Sequence, residues 1–203
     1  MPSHNYWLVK SEADVFSFDD LLAAPNRTTG WDGVRNYAAR NHLRSMRAGD
    51  QVLFYYSMES DKAIVGIATV VREAYPDATA LDPSDPHYDP KSDPAEPRWF
   101  MVDLQAMDRL PRPVRLDEIK RTKGLETMAL LRIGRLSVQP VTDAEFAIIR
   151  RLADSPAPTE KPAKSRKSVK SARPANSAKR AKLAKPAKAK GKAKRRPAAK
   201  RKR

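Results

Sequence analysis

Trp31, Asn36, Tyr37 and Arg40 sit close together in the stretch TTGWDGVRNYAARNHLRSM, Thr28 to Met46. A loop aromatic beside amide, phenol and guanidinium groups at a helix start has the composition of a site for a planar ligand. Strand ends add Lys10-Ser11 and Tyr56-Ser57, and a proline-rich loop adds Tyr88. Flat rings with amide and hydroxyl groups suit an extruded nucleobase, which stacks by its faces and is read by hydrogen bonds at its edge. Each stack contributes ~1–3 kcal/mol. Packing and capping compete with this at every position. Trp31 can fill a core edge, Asn36 can cap a helix, and Tyr56 can be half core. Ser11 and Ser57 can be turn residues, and Arg40 a solvated helix face.

Catalytic chemistry has less support. No GxSxG elbow groups a serine with a base, and the carboxylates of Asp19 and Asp20 point apart on a helix. A pairing of Ser57 with His87 stays open, with no spacing to favour it. The three histidines, His4, His42 and His87, fall in no metal-ligand spacing, and the chain has no cysteine. No cofactor is expected, since GxGxxG and GxxxxGK[ST] are both missing.

The elements that must position these groups are readable from pattern. Tyr6–Lys10 is a short strand, and Ser17 caps a helix over FDDLLAA that Pro25 ends. Asn36 caps a helix through Met46, with Leu43 and Met46 on its apolar face. Gln51–Ser57 is apolar and aromatic throughout, hence a central strand. Ala63–Tyr75 is a long β-branched strand in which Gly66 marks a bulge or the close approach of another group. Residues 76–97 hold six prolines with aspartates between them and read as a long functional loop. Arg98–Leu110 is a further strand, broken by Pro111 and Pro113. A short helix follows at 116–120, an ambiguous apolar run at 127–133, and an edge strand at Leu136–Val141. Thr142 and Glu145 then form a capping box opening a helix that closes the domain near Asp154.

The net charge of +16 hides two different objects. Residues 1–154 carry 20 Lys+Arg against 23 Asp+Glu, which is −3; residues 155–203 carry 20 against 1, which is +19. The second segment is Lys, Ala, Pro and Ser in near-repeats, with Val169 and Leu183 its only large apolar residues. It cannot repay its ordering entropy with a core and is expected to be disordered. Such a chain binds phosphate by releasing counterions, with no sequence preference. Its composition is similar to histone H1-type tails. No secretory signal and no run of ~20 apolar residues is seen. The expectation is a cytoplasmic protein, at the nucleoid in a bacterium or in the nucleus of a eukaryote, and no membrane partner.

The blocks YWLVKSE, TTGWDGVRNYAARNHLRSM, GDQVLFYYS, IVGIATVVREAYPD, HYDPKSDP, RWFMVDL and LLRIGRLSVQPVT, in this order, resemble the EVE domain family. They cover nearly all of residues 1–154. The resemblance implies an α+β, PUA-like mixed β-barrel with peripheral short helices. It also implies a binder of modified bases in DNA or RNA. Pocket positions carried over are Lys10, Ser11, Trp31, Asn36, Tyr37, Arg40, Ser57 and Tyr88, beside which Tyr56 stands where the family has histidine. Two further departures are Ala13 in KSEA, where the family has KSEP, and Phe18 in place of a tryptophan. The expected function is a non-catalytic reader of a modified or flipped-out base, with the basic tail on the phosphate backbone. The alternatives are an architectural protein driven by the tail, or an enzyme acting on modified bases.

Overall fold

The computed structural model describes residues 5–58 and 62–156. The basic segment expected to be disordered therefore falls almost wholly outside the described residues.

Among the described residues the six strands are β1 (Tyr6–Ser11), β2 (Thr28–Gly30), β3 (Gln51–Tyr56), β4 (Ala63–Pro76), β5 (Phe100–Arg115) and β6 (Val138–Val141). The helices are α1 (Phe18–Ala23), α2 (Tyr37–Ser45), α3 (Leu116–Arg121), α4 (Ala129–Arg132) and α5 (Asp143–Asp154). The strands form one mixed sheet in the order β2-β5-β4-β3-β1-β6. Among the described residues only β1 and β3 run parallel; the other pairs are antiparallel. This is the expected α+β, PUA-like arrangement, with β3 inside the sheet and β6 at its edge.

Alternation along the strands puts one side-chain set on each face. Val9, Val52, Phe54, Val102 and Leu104 pack with α1 and α2 on one face. Leu8, Leu53, Tyr55, Ile64 and Val114 pack with α3 and α5 on the other. Helix α2 contacts β4, β5 and β6, so it spans the inner face between strands near opposite ends of the sheet. The Asp50 carboxylate, 2% exposed, ties the turn before β3 to the start of β1. It accepts from Trp7 Nε1 at 2.8 Å, Asn5 N at 3.0 Å and Arg47 N at 2.9 Å.

The caps form as the sequence predicts. Ser17 and Asp20 make a reciprocal capping box on α1, Thr142 and Glu145 do so on α5, and Asn36 accepts from Ala39 N at 3.1 Å on α2. Gly66 is both things expected of it. The β4–β5 register shifts between Ile64 and Gly66, and a Cβ there would lie 2.4 Å from the Phe18 ring.

One expectation needs correction. Pro111 and Pro113 do not break the strand: β5 runs through both to Arg115. They occupy exposed positions inside the register shift that separates the Gly66–Arg109 and Ile64–Val114 pairs, where their missing N–H groups cost no ladder bond. The proline-rich segment 76–97, read from its prolines as a long loop, has local order of its own. It opens with a 3-10 turn at Ala78–Leu81, and four of its aspartates precede prolines. Asp82, Asp85, Asp89 and Asp93 each accept from the backbone N–H two residues on, at 2.7–3.0 Å. The repeated Asp-Pro therefore writes a chain of Asx turns.

Candidate nucleic-acid interface

A cleft of about 430 Å³ opens where β1 ends, β2 ends and the loop 76–97 folds back. That is within the usual range for small-ligand sites. Its walls include Lys10, Ser11, Phe16, Trp31, Gly33 and His87.

Trp31 continues the line of β2, its N–H donating to Val102 O at 2.7 Å. Its half-buried ring meets Phe54 edge-on at 5.6 Å and Phe16 at 6.4 Å. The core thus holds one side of the indole while the ring also lines the cleft. Lys10 is carried on β1, and its Nζ donates to Gly134 O at 2.8 Å. Burial lowers the pKa of this ammonium. Ser11 Oγ donates to Phe16 O at 2.6 Å and fixes the turn after β1.

The far wall is stapled. Gly33 has φ +70°, a conformation open to glycine, and a Cβ on it would lie 2.9 Å from the His87 imidazole. Arg35, two residues on, reaches into the loop: Nε donates to His87 O at 2.6 Å, Nη1 to Asp77 Oδ2 at 2.7 Å and Nη2 to Thr79 Oγ1 at 2.9 Å. Asp77 Oδ2 also accepts from Gly33 N at 3.1 Å. Burial alone would raise the Asp77 carboxyl. The hydrogen bonds from Arg35 and Thr79, and the Arg35 charge, outweigh it and hold the group below the usual carboxylate range. Asp32, on the cleft rim, is pushed the other way, first by desolvation and then by the charge of Asp77.

Of the positions expected from sequence, Lys10, Ser11 and Trp31 come together in this cleft. The others lie outside its lining. Asn36 caps α2. Tyr37 stacks on Trp99 at 5.0 Å, and Arg40 lies 4.9 Å over the Tyr37 ring while donating to Arg98 O at 3.0 Å. Ser57 donates from both N and Oγ to Ser11 O, at 2.9 and 3.2 Å, so it supports the end of β1 from behind and does not pair with His87. Tyr88 is exposed in the loop, one residue past the imidazole that does line the cleft.

Tyr56 belongs to a second, larger cavity. Its hydroxyl accepts from Phe18 N at 2.8 Å, and with Asp19, Pro111 and the arginines 109, 112, 115 and 121 it lines about 640 Å³ between β4, β5 and α3. Among the lining residues that sequence reasoning did not select are Phe16, Gly33, Arg35 and His87. Signals were present for two of them, the second glycine of GWDG for Gly33 and the HYDP block for His87.

A profile of the EVE domain matches residues 5–152. Thymocyte nuclear protein 1 of Rattus norvegicus is 45% identical over 168 residues, 74% of this chain and 74% of the relative. A solved structure of a hypothetical protein from Leishmania major is 46% identical and superposes with a TM-score of 0.72, covering 75% of this chain and 96% of that one. Human THYN1 protein, solved in complex with DNA containing 5-methylcytosine, is 40% identical with a TM-score of 0.72, covering 75% of this chain and 99% of that one. With the match running from the start of β1 almost to the end of α5, the chain belongs to the EVE domain family.

Proposed function

We propose that this domain is a non-catalytic reader that holds one modified base of a nucleic acid in the cleft between Trp31 and His87. The observation that carries it is the cleft itself. It is walled by an indole fixed edge-on by the core and by an imidazole fixed against Gly33, and it is large enough for a single base. A similar protein solved with DNA containing 5-methylcytosine supports the same reading. Lys10 stands at one end with N–H groups left to donate, and the Ser11 hydroxyl oxygen and the Asp32 carboxylate can accept, the complement that a base edge requires. The basic segment 155–203 would add sequence-blind affinity for the surrounding phosphates and raise the local concentration of the cleft near its target.

Trp31→Ala tests this in the full chain, with oligonucleotides that differ only in one methylated cytosine. Loss of one stack at ~1–3 kcal/mol weakens binding to the methylated strand roughly five- to hundredfold and removes the preference over the unmethylated one. Tail-driven binding to both strands stays. A wild-type chain that binds the two strands equally would refute the reader, and equal binding with turnover of the base would favour an enzyme.

A further inference from the structure

One stretch of the folded part carries several arginines with no acidic residue between them. From Val34 to Ala48 there are four arginines and no acidic residue, within a domain whose net charge is negative. Ala39, Leu43 and Met46 are buried, which turns the opposite side of α2 outward. Tyr37, Arg40, Asn41 and Arg44 recur there at helical spacing.

The two central arginines are held by neutral groups. Arg40 lies over Tyr37 and donates to Arg98 O and to Asn41 Oδ1. Arg44 lies 4.8 Å over the Phe100 ring. Neither joins an ion pair among the described residues, unlike Arg35 and Arg47 on either side of them in sequence and Arg98 beside them; Arg27, Arg72, Arg132, Arg135, Arg150 and Arg151 are also outside the ion pairs, but none of them lies on this helix. Aromatic faces keep these guanidiniums laid along the surface, so less rotamer entropy remains to be lost when a ligand arrives. The strip adjoins the cleft in space through Trp99, whose ring stacks on Tyr37 and lies 5.6 Å from the guanidinium of Arg35, a residue of the cleft lining.

We infer that the outer face of α2, with the start of β5, seats the phosphate backbone flanking the base in the cleft; this rests on the reader assignment above. Guanidiniums without carboxylate partners are the groups that gain most from phosphate, because no ion pair must first be broken. An acidic protein segment would meet the same charges. The contiguity with a base-sized cleft favours the nucleic acid.

The test uses the full chain and a single-stranded oligonucleotide carrying one 5-methylcytosine, with free 5-methyl-2′-deoxycytidine as the second probe. Arg40→Gln/Arg44→Gln should lower the slope of log K against log salt by about 1.4, two contacts at ~0.7 each. Affinity for the strand at physiological salt should fall about tenfold, with nucleoside affinity unchanged. Arg115→Gln/Arg121→Gln removes the same charge at the other cavity and should leave the slope alone. Arg40→Lys/Arg44→Lys should retain it. A slope unchanged in the glutamine pair, equal losses in the control pair, or a loss in the lysine pair would each overturn the proposal. If the wild-type chain shows no preference for methylated over unmethylated cytidine, the reader assignment fails, while the salt slopes still judge the strip.

Discussion

Two cavities of this domain lie near one another and differ in how their charges are matched. Phe16 faces one and Asp19 the other, and a line of edge-on rings from Trp31 through Phe54 to Tyr56 runs between them. In the larger cavity every arginine has a carboxylate. Arg109 pairs with Asp19, Arg112 grips Glu118 through two bonds of 2.8 and 2.7 Å, and Arg115 and Arg121 share Asp117. Those groups are satisfied within the protein, and a ligand would have to break ion pairs to use them. Around the smaller cleft the one strong pair, Arg35 with Asp77, builds the wall, and the aromatic and donor groups remain on the surface of the cavity. Volume favours the larger cavity; the state of the charges supports the cleft as the site proposed above.

The sharpest way to separate the two is to damage the larger one. Arg112→Leu leaves Glu118, 7% exposed, without its partner beneath α3. Breaking a buried pair from one side costs about 3 kcal/mol or more. Denaturant melts should record that loss, while nucleoside affinity of the folded fraction stays at the wild-type value. A matching loss of affinity would move the site to the larger cavity.

A smaller effect is expected at the cleft wall. Asp77→Asn removes the ion pair and weakens the bonds to Thr79 and Gly33, costing roughly 1–3 kcal/mol. Unlike Arg112→Leu, it should also weaken nucleoside binding, because His87 loses its fixed place over Gly33. The Asp77 pKa is depressed on folding. Its contribution is therefore present above the ordinary carboxylate pKa and is lost as pH falls through the lower folded value. Thermal melts taken from neutral to acid pH should show a shallower acid decline in Asp77→Asn than in the wild-type chain. Equal slopes would deny Asp77 that role.

Much of the frame was legible because it rests on local signals. Capping residues at Ser17, Asn36 and Thr142 and the apolar runs of β3 and β4 act within a few residues of themselves. The prolines of β5 misled because their tolerance depends on where β4 shifts register, a fact of the partner strand. Of the cleft lining, Lys10, Ser11 and Trp31 were legible as termini of elements. Tyr37 and Arg40 were grouped with Trp31 by composition and by the family resemblance, and α2 places them off the cleft lining on its own outer face. Tyr56 alternates with Phe54 on the same side of β3, yet two residues of strand put it past Phe18 and into the other cavity. His87 could not be placed without the staple from Arg35, fifty-two positions away.

The central claim is that the cleft, and not the larger cavity, receives the base. Backbone amide NMR of the full chain titrated with 5-methyl-2′-deoxycytidine tests it most directly. The account predicts that the largest shifts fall on Ser11, Trp31, Gly33 and His87, with the indole N–H of Trp31 among them. Shifts centred instead on Tyr56, Leu110 and Arg112 would contradict it.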